Sequence, residues 1–204
     1  KIASWLSMRG LRTQTMIAAG TAAGFAAAYN TPFAAALFVL EVVTGVVVLE
    51  TILPTLAAVA LATAITRAVI GPGPIYGARA FAMGSPWELL AFAGLGLAAA
   101  LVAWVFMRCL SLAEGALGRW PRTRIARAAV GGLVTGGLVA LVPQVAGNGY
   151  EPLNRLLDGH VAIGFVAVLC VVKILATTSS VASGSPGGVF TPTLLMGGCT
   201  GALY

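Results

Sequence analysis

An all-helical integral membrane protein is predicted, and three observations predict it. The chain of 204 residues is 59% hydrophobic and only 9% charged, against about 25% charged residues in an ordinary soluble domain. Mean hydropathy is +0.96. Long charge-free runs are separated by short segments rich in Gly, Pro and Arg, the pattern of spans and connecting loops. So little polar surface cannot cover a water-soluble globule. It excludes a cytosolic enzyme, a disordered segment and a nucleic-acid module. Inside lipid the backbone must satisfy its own polar groups, which favours helices.

The first run, residues 13–40, has no Asp, Glu, Lys or Arg. At about 1.5 Å per residue it exceeds one crossing of a roughly 30 Å hydrocarbon core. Asn30-Thr31-Pro32 interrupts it, so two shorter helices are predicted at about 13–28 and 32–43. Pro32 suits the first turn of the second. Charge-free runs at 51–66 and 89–107 predict spans near 49–70 and 85–115. Gly71-Pro72-Gly73-Pro74 opens a connector between them that ends at Ser85-Pro86. The run 128–150 predicts a further span, and Gly147-Asn148-Gly149-Tyr150 leads from it into a short polar stretch ending near His160. Residues 161–181 follow with Lys173 as their one charge, and residues 182–204 have none.

Net charge is +6, but the Lys and Arg residues lie between apolar runs. Lys1, Arg9 and Arg12 precede the first helix, and Arg119, Arg122, Arg124 and Arg127 surround Pro121. If both groups are cytoplasmic, an even number of crossings separates them, which suits the predicted spans. Trp87 and Trp120 sit at span ends, as an aromatic belt expects. Cys109, Cys170 and Cys199 have no metal-type spacing and no evident disulfide partner. Glycines four apart (Gly20 and Gly24, Gly132 and Gly136, Gly197 and Gly201) predict faces where helices approach closely. A start without Met and a stop inside an apolar run suit an internal stretch of a longer polypeptide.

The chemistry is expected at broken helices. Non-helical backbone at membrane depth is tolerated only when buried in protein or facing a water-filled cavity, and a helix that starts there points N–H groups and a positive dipole end inward. Gly184-Ser185-Pro186-Gly187-Gly188-Val189-Phe190-Thr191-Pro192 carries this most clearly, with a helix expected to begin near Thr191 or Pro192. The amides of Val189 and Phe190 then suit an anion, held without a fixed positive charge. A plain helix–helix turn is the bland alternative.

Gly188–Pro192, reading GVFTP, resembles the GxFxP signature of the CLC family of chloride channels and chloride/proton antiporters. Residues Ala18–Pro32 are similar to that family's small-residue helix ending in an aromatic-Asn-x-Pro break, and Phe33–Glu41 resembles the helix that follows. The likeness runs in order over nearly the whole chain and is closest at 16–44 and 180–203. It implies a CLC-type bundle of tilted, uneven and broken helices, present here in part. The end of a first half-repeat then lies at about 1–70, and the start of a second at about 85–204, within one transmembrane domain over 1–204.

The resemblance further implies chloride as the transported ion, with no cofactor and no metal. Anion ligation falls to the Val189 and Phe190 amides, supported by Gly187, Gly188 and Pro192. It implies a homodimer in lipid, joined through apolar helices near 32–43 and 49–70, with no nucleic-acid partner. The lack of long polar loops suits a bacterial inner membrane. The family's gating glutamate, in a GxExP motif, is expected just before Lys1, and its tyrosine beyond Tyr204. Many exchangers of the family carry two successive glutamates where this chain has Glu41-Val42. Valine holds no proton, which favours a voltage-gated-type channel over a chloride/proton or fluoride/proton exchanger. Glu41 itself sits at a mouth or in a proton path. Lys173 either draws anions inward, snorkels to the interface or forms a buried pair. A remote alternative, an intramembrane serine hydrolase, needs Ser185 within reach of His160.

Overall fold

The computed structural model describes residues 10–45, 48–73, 75–77, 79, 82–118, 123–159, 161–185 and 187–204. Lys1, Arg9, Pro74, Arg119, Trp120, Pro121, Arg122, His160 and Pro186, all used above, lie outside the described residues. Among the described residues every regular element is helical. The chain forms two compact units, Lys1–Ala80 and Phe81–Tyr204.

In the first unit, α1 (Leu11–Tyr29) ends at Asn30, which takes the left-handed conformation with φ 52° and ψ 34°. Thr31 then leads into α2 (Pro32–Phe38), with Pro32 as its first residue. The two shorter helices expected from Asn30-Thr31-Pro32 are both present. A π-helical turn, Val39–Thr44, prolongs α2, and α3 (Leu49–Val69) carries Pro54 inside it.

Packing here rests on small side chains. Ala18, Ala22 and Ala26 form a fully buried stripe on α1, and Ala35, Ala36, Val39 and Val59 close the same core. On α3 the buried face reads Thr51, Thr55, Val59 and Thr63, one residue per turn. Small faces let helix backbones approach where lipid provides no hydrophobic drive between helices. The Thr55 hydroxyl donates to the Thr51 carbonyl at 2.6 Å, so one polar group on this face is satisfied by its own helix.

The second unit holds α4 (Glu88–Gly118), α5 (Arg124–Leu141), a 3₁₀ turn (Pro143–Val145), α6 (Tyr150–Leu157), α7 (Ile163–Ala182) and α8 (Phe190–Leu203). At 31 residues, α4 is about 46 Å long, more than one hydrocarbon thickness, so it must tilt or project. The core is centred on α7, which buries Val166, Leu169, Cys170, Ile174 and Ala176. It meets Leu195, Met196 and Cys199 of α8. Helices α3, α4, α5 and α7 are long and apolar enough to cross a bilayer. Large apolar side chains on α4, such as Leu97, Leu101 and Trp104, are exposed in this chain. Such a face suits lipid or more protein, not water.

Three expectations are corrected. The span expected at 128–150 runs instead over Arg124–Leu141, because Pro143 opens a 3₁₀ turn and proline cannot continue a helix's hydrogen bonding. The stretch after Gly149 is not irregular but the amphipathic helix α6, which buries Leu153 and Leu156. The glycines four apart are not the close contacts within this chain. A Cβ built at Gly20, Gly24, Gly132, Gly136, Gly197 or Gly201 meets no atom within 4 Å, whereas one at Gly131 lies 2.7 Å from the Ser179 carbonyl and one at Gly198 strikes Leu153. Spacing marks a helix face, but in the Gly131-Gly132 and Gly197-Gly198 pairs only the neighbour decides which glycine is covered.

Candidate functional site

Helix α7 stops at Ser183, whose hydroxyl turns back to donate to the Ser180 carbonyl at 2.7 Å. Gly184 follows with φ +81°, a conformation that glycine adopts without the Cβ penalty, and its N–H bonds the Val181 carbonyl at 3.0 Å. This is a left-handed helix cap. The turn is anchored from outside as well. Ser183 is 4% exposed and lies against Gly131 of α5, so any side chain at Gly131 would push the two helices apart.

Gly187 and Gly188 then carry the chain, exposed, to Val189, and α8 begins at Phe190. The helix starts slightly earlier than the Thr191 or Pro192 expected, a difference within the ordinary ambiguity of helix ends. At the start of α8 the Thr193 N–H donates to the Val189 carbonyl at 3.0 Å. The amides of Val189, Phe190 and Thr191 belong to the N-terminal turn, and Pro192 brings no N–H to it. Val189 and Phe190 are each 40% exposed in this chain.

The start of α8 is braced from the side by α6. Gly149, at φ +77°, lies under Leu195, and Leu153 of α6 sits where a side chain at Gly198 would go. Leu195 is fully buried. The brace is itself pinned, because the Lys173 ammonium on α7 donates to the Val145 carbonyl at 2.8 Å and to the Gly147 carbonyl at 2.9 Å. Lys173 is 3% exposed. Both bonds go to backbone carbonyls, and among the described residues it pairs with no carboxylate. It ties down the turn after α5, a role the sequence does not announce because those carbonyls are 26 and 28 residues away.

Glu41 and Val42 belong to the first unit. Both lie on the π-helical turn and both are exposed, Val42 at 63%. Such turns often mark functional positions inside helices. The break itself is held by side chains. Asn30 Nδ2 donates to the Pro72 and Gly73 carbonyls at 3.1 and 3.0 Å, and Arg67 Nε donates to Asn30 Oδ1 at 2.9 Å. Ser185 Oγ lies 3.2 Å from Ser183 Oγ, while its suggested partner His160 is outside the described residues. Among the described residues no three His, Cys, Asp or Glu side chains gather as a metal site.

Residues 1–204 match the profile of the family described as voltage gated chloride channel. The chain is 41% identical over 189 residues to a ClcB-like chloride channel protein of Ralstonia nicotianae, covering 93% of this chain and 44% of that one. It is 32% identical over 189 residues to the voltage-gated ClC-type chloride channel ClcB of Citrobacter koseri, covering 92% and 45%. With the ClcB of Salmonella typhimurium the identity is 33% over 182 residues, covering 89% and 44%. The chain thus spans under half the length of these relatives.

Proposed function

The chain belongs to the voltage gated chloride channel family, and from that premise we propose that the whole protein passes chloride, or a similar monovalent anion, passively across a membrane. One observation carries the proposal. A glycine-rich segment leads into α8, so that the Val189 and Phe190 amides stand at the helix N-terminus, before the Thr193 N–H that bonds the Val189 carbonyl. Backbone donors and a helix dipole hold an anion without the tight grip of an ammonium or guanidinium, so the ion can leave again. Gly187, Gly188 and Pro192 act by shaping this turn.

The passive mode rests on Val42, which stands beside Glu41 on the exposed π-helical turn and cannot relay a proton. The apolar side chains of Phe33, Leu37, Leu53, Leu61 and Ile65 are exposed on α2 and α3. They support a symmetric second copy seated on that face within the bilayer. We place the protein in a bacterial inner membrane, with the two units as parts of two half-repeats.

Two measurements test this. Bromide soaked into crystals of the whole protein gives an anomalous peak beside the Val189 and Phe190 nitrogens; a peak elsewhere only, or none, ends the assignment. In planar bilayers under a pH gradient the reversal potential follows chloride alone. A shift with pH identifies an exchanger and overturns the passive reading.

A further inference from the structure

Two thiols meet inside the second unit. Helices α7 and α8 pack on each other and are joined only by the turn that carries the anion amides, so α8 runs back along α7. The segment before α6 marks a common level on the two. Lys173 of α7 bonds the Gly147 carbonyl, and Gly149, two residues on, lies under Leu195 of α8. Cys170 stands three residues before Lys173, and Cys199 four residues after Leu195, each about one helical turn away. Because the helices run in opposite directions, both steps lead the same way and bring the two cysteines to one level. There their side chains are hydrogen-bonded to each other.

The contact is enclosed by apolar surroundings. Cys199 is fully buried and Cys170 is 7% exposed. Leu195 and Met196, one turn back on α8, are buried as well, and Leu153 of α6 covers the neighbouring Gly198. Val168 and Val171 flank Cys170 and leave apolar surface exposed in this chain. A single buried cysteine serves as a small apolar residue. Two thiols in direct contact are a different chemical object, because each sulfur is the other's nearest reaction partner. The third cysteine, Cys109, stands apart on α4.

We propose that Cys170 and Cys199 form an oxidisable dithiol, which a small uncharged two-electron oxidant dissolved in the bilayer converts to a disulfide that ties α8 to α7 around the anion turn. The Cys170 sulfur, the more open of the two, attacks the oxidant, and the Cys199 sulfur then displaces it. Two S–H bonds break and one S–S bond forms, and two electrons and two protons leave on the reduced oxidant. The bond encloses residues 171–198, which include the whole turn from Ser183 to Phe190. Bonded sulfurs lie about 2.0 Å apart, closer than hydrogen-bonded ones, and a close-packed interior transmits that approach as a helix shift. Since α8 begins at Phe190, the shift reaches the anion donors. This last step rests on the anion reading above; the dithiol chemistry does not.

The test treats the full-length protein in lipid nanodiscs with diamide, an uncharged azo oxidant that takes up both thiol hydrogens and leaves as its hydrazine. The protein is then unfolded, free thiols are alkylated and the peptides are mapped by mass spectrometry. The expected product is a Cys170–Cys199 cross-link, two hydrogens lighter than the reduced pair and fully reversed by dithiothreitol, with Cys109 still alkylated. Tetrathionate, a doubly charged oxidant, gives less than a tenth of that yield. Bromide affinity of the oxidised wild type falls at least threefold and returns on reduction, whereas Cys170→Ser protein treated alike shows no change. If Cys170 and Cys199 both stay alkylatable after diamide, or join other partners, the dithiol is overturned. An equal yield with tetrathionate overturns the uncharged class of oxidant. Cross-linking with unchanged bromide affinity overturns the link to the turn. A reduced protein that binds no bromide strikes the anion reading and leaves the cross-link standing.

Discussion

Lys173 and Gly147 meet inside the second unit, where the ammonium of a residue at the middle of α7 donates to a turn carbonyl at 2.9 Å and to that of Val145 at 2.8 Å. The bonds join the end of α5, the approach to α6 and the body of α7 at one point. Removing the ammonium leaves the carbonyl of Val145, a residue 3% exposed, without its partner, and an unsatisfied buried acceptor costs about 1–3 kcal/mol. Lys173→Met is therefore expected to lower the thermal midpoint of the detergent-solubilised protein by several degrees. An unchanged midpoint would show that the clamp contributes nothing.

Gly131 is required by the contact between α5 and α7. A methyl group there sits 2.7 Å from the Ser179 carbonyl and on top of the Ser183 side chain. Because backbone is the obstacle, a rotamer change cannot relieve it, and overpacking of this kind costs about 1–3 kcal/mol. Gly131→Ala is expected to destabilise the protein and weaken anion binding by disturbing the turn at Ser183. Gly132→Ala, with no atom within 4 Å in this chain, is expected to be neutral or slightly stabilising. Matched thermal melts of the two variants check the contrast.

Asn30 combines a left-handed backbone with a side chain bonded to Pro72, Gly73 and Arg67. The two contributions separate by substitution. Asn30→Gly keeps the backbone conformation and loses only the side-chain bonds. Asn30→Ala loses both and adds a left-handed penalty of roughly 1–2 kcal/mol. The Ala variant is expected to be the less stable by about that amount in reversible unfolding. Equal stabilities would mean that the backbone conformation is not maintained.

Amide ligation has its own signature at the anion turn. Val189→Ala retains the N–H and is expected to change chloride affinity less than about twofold. Phe190→Pro removes the donor and moves Val189 out of its αR backbone, φ −98° and ψ −19°, since the residue before a proline avoids that region. Since a hydrogen bond to a charged group contributes about 1.5–3 kcal/mol, chloride affinity is expected to fall at least about tenfold in calorimetric titration. If Val189→Ala weakens binding as much as Phe190→Pro, side chains rather than amides hold the ion.

The break at Asn30-Thr31-Pro32 and the helix start after Gly188 were both legible because Gly, Asn and Pro restrict or free φ wherever they occur, independent of neighbours. The length of apolar runs likewise announced the spans at α3, α4 and α7. Helix α6 was not legible. Its eight residues are too few to show a period clearly, and Glu151-Arg155 reads equally well as loop.

By itself, then, the sequence determined the helical membrane class, the family resemblance and the local form of the turn before α8, since each depends on composition or on backbone limits of single residues. Tertiary structure alone decided what Lys173 holds, which glycine of each pair is covered, and that α6 braces α8. Those are contacts between residues far apart in the chain. Helix periodicity marks a face without naming the element that will lie on it.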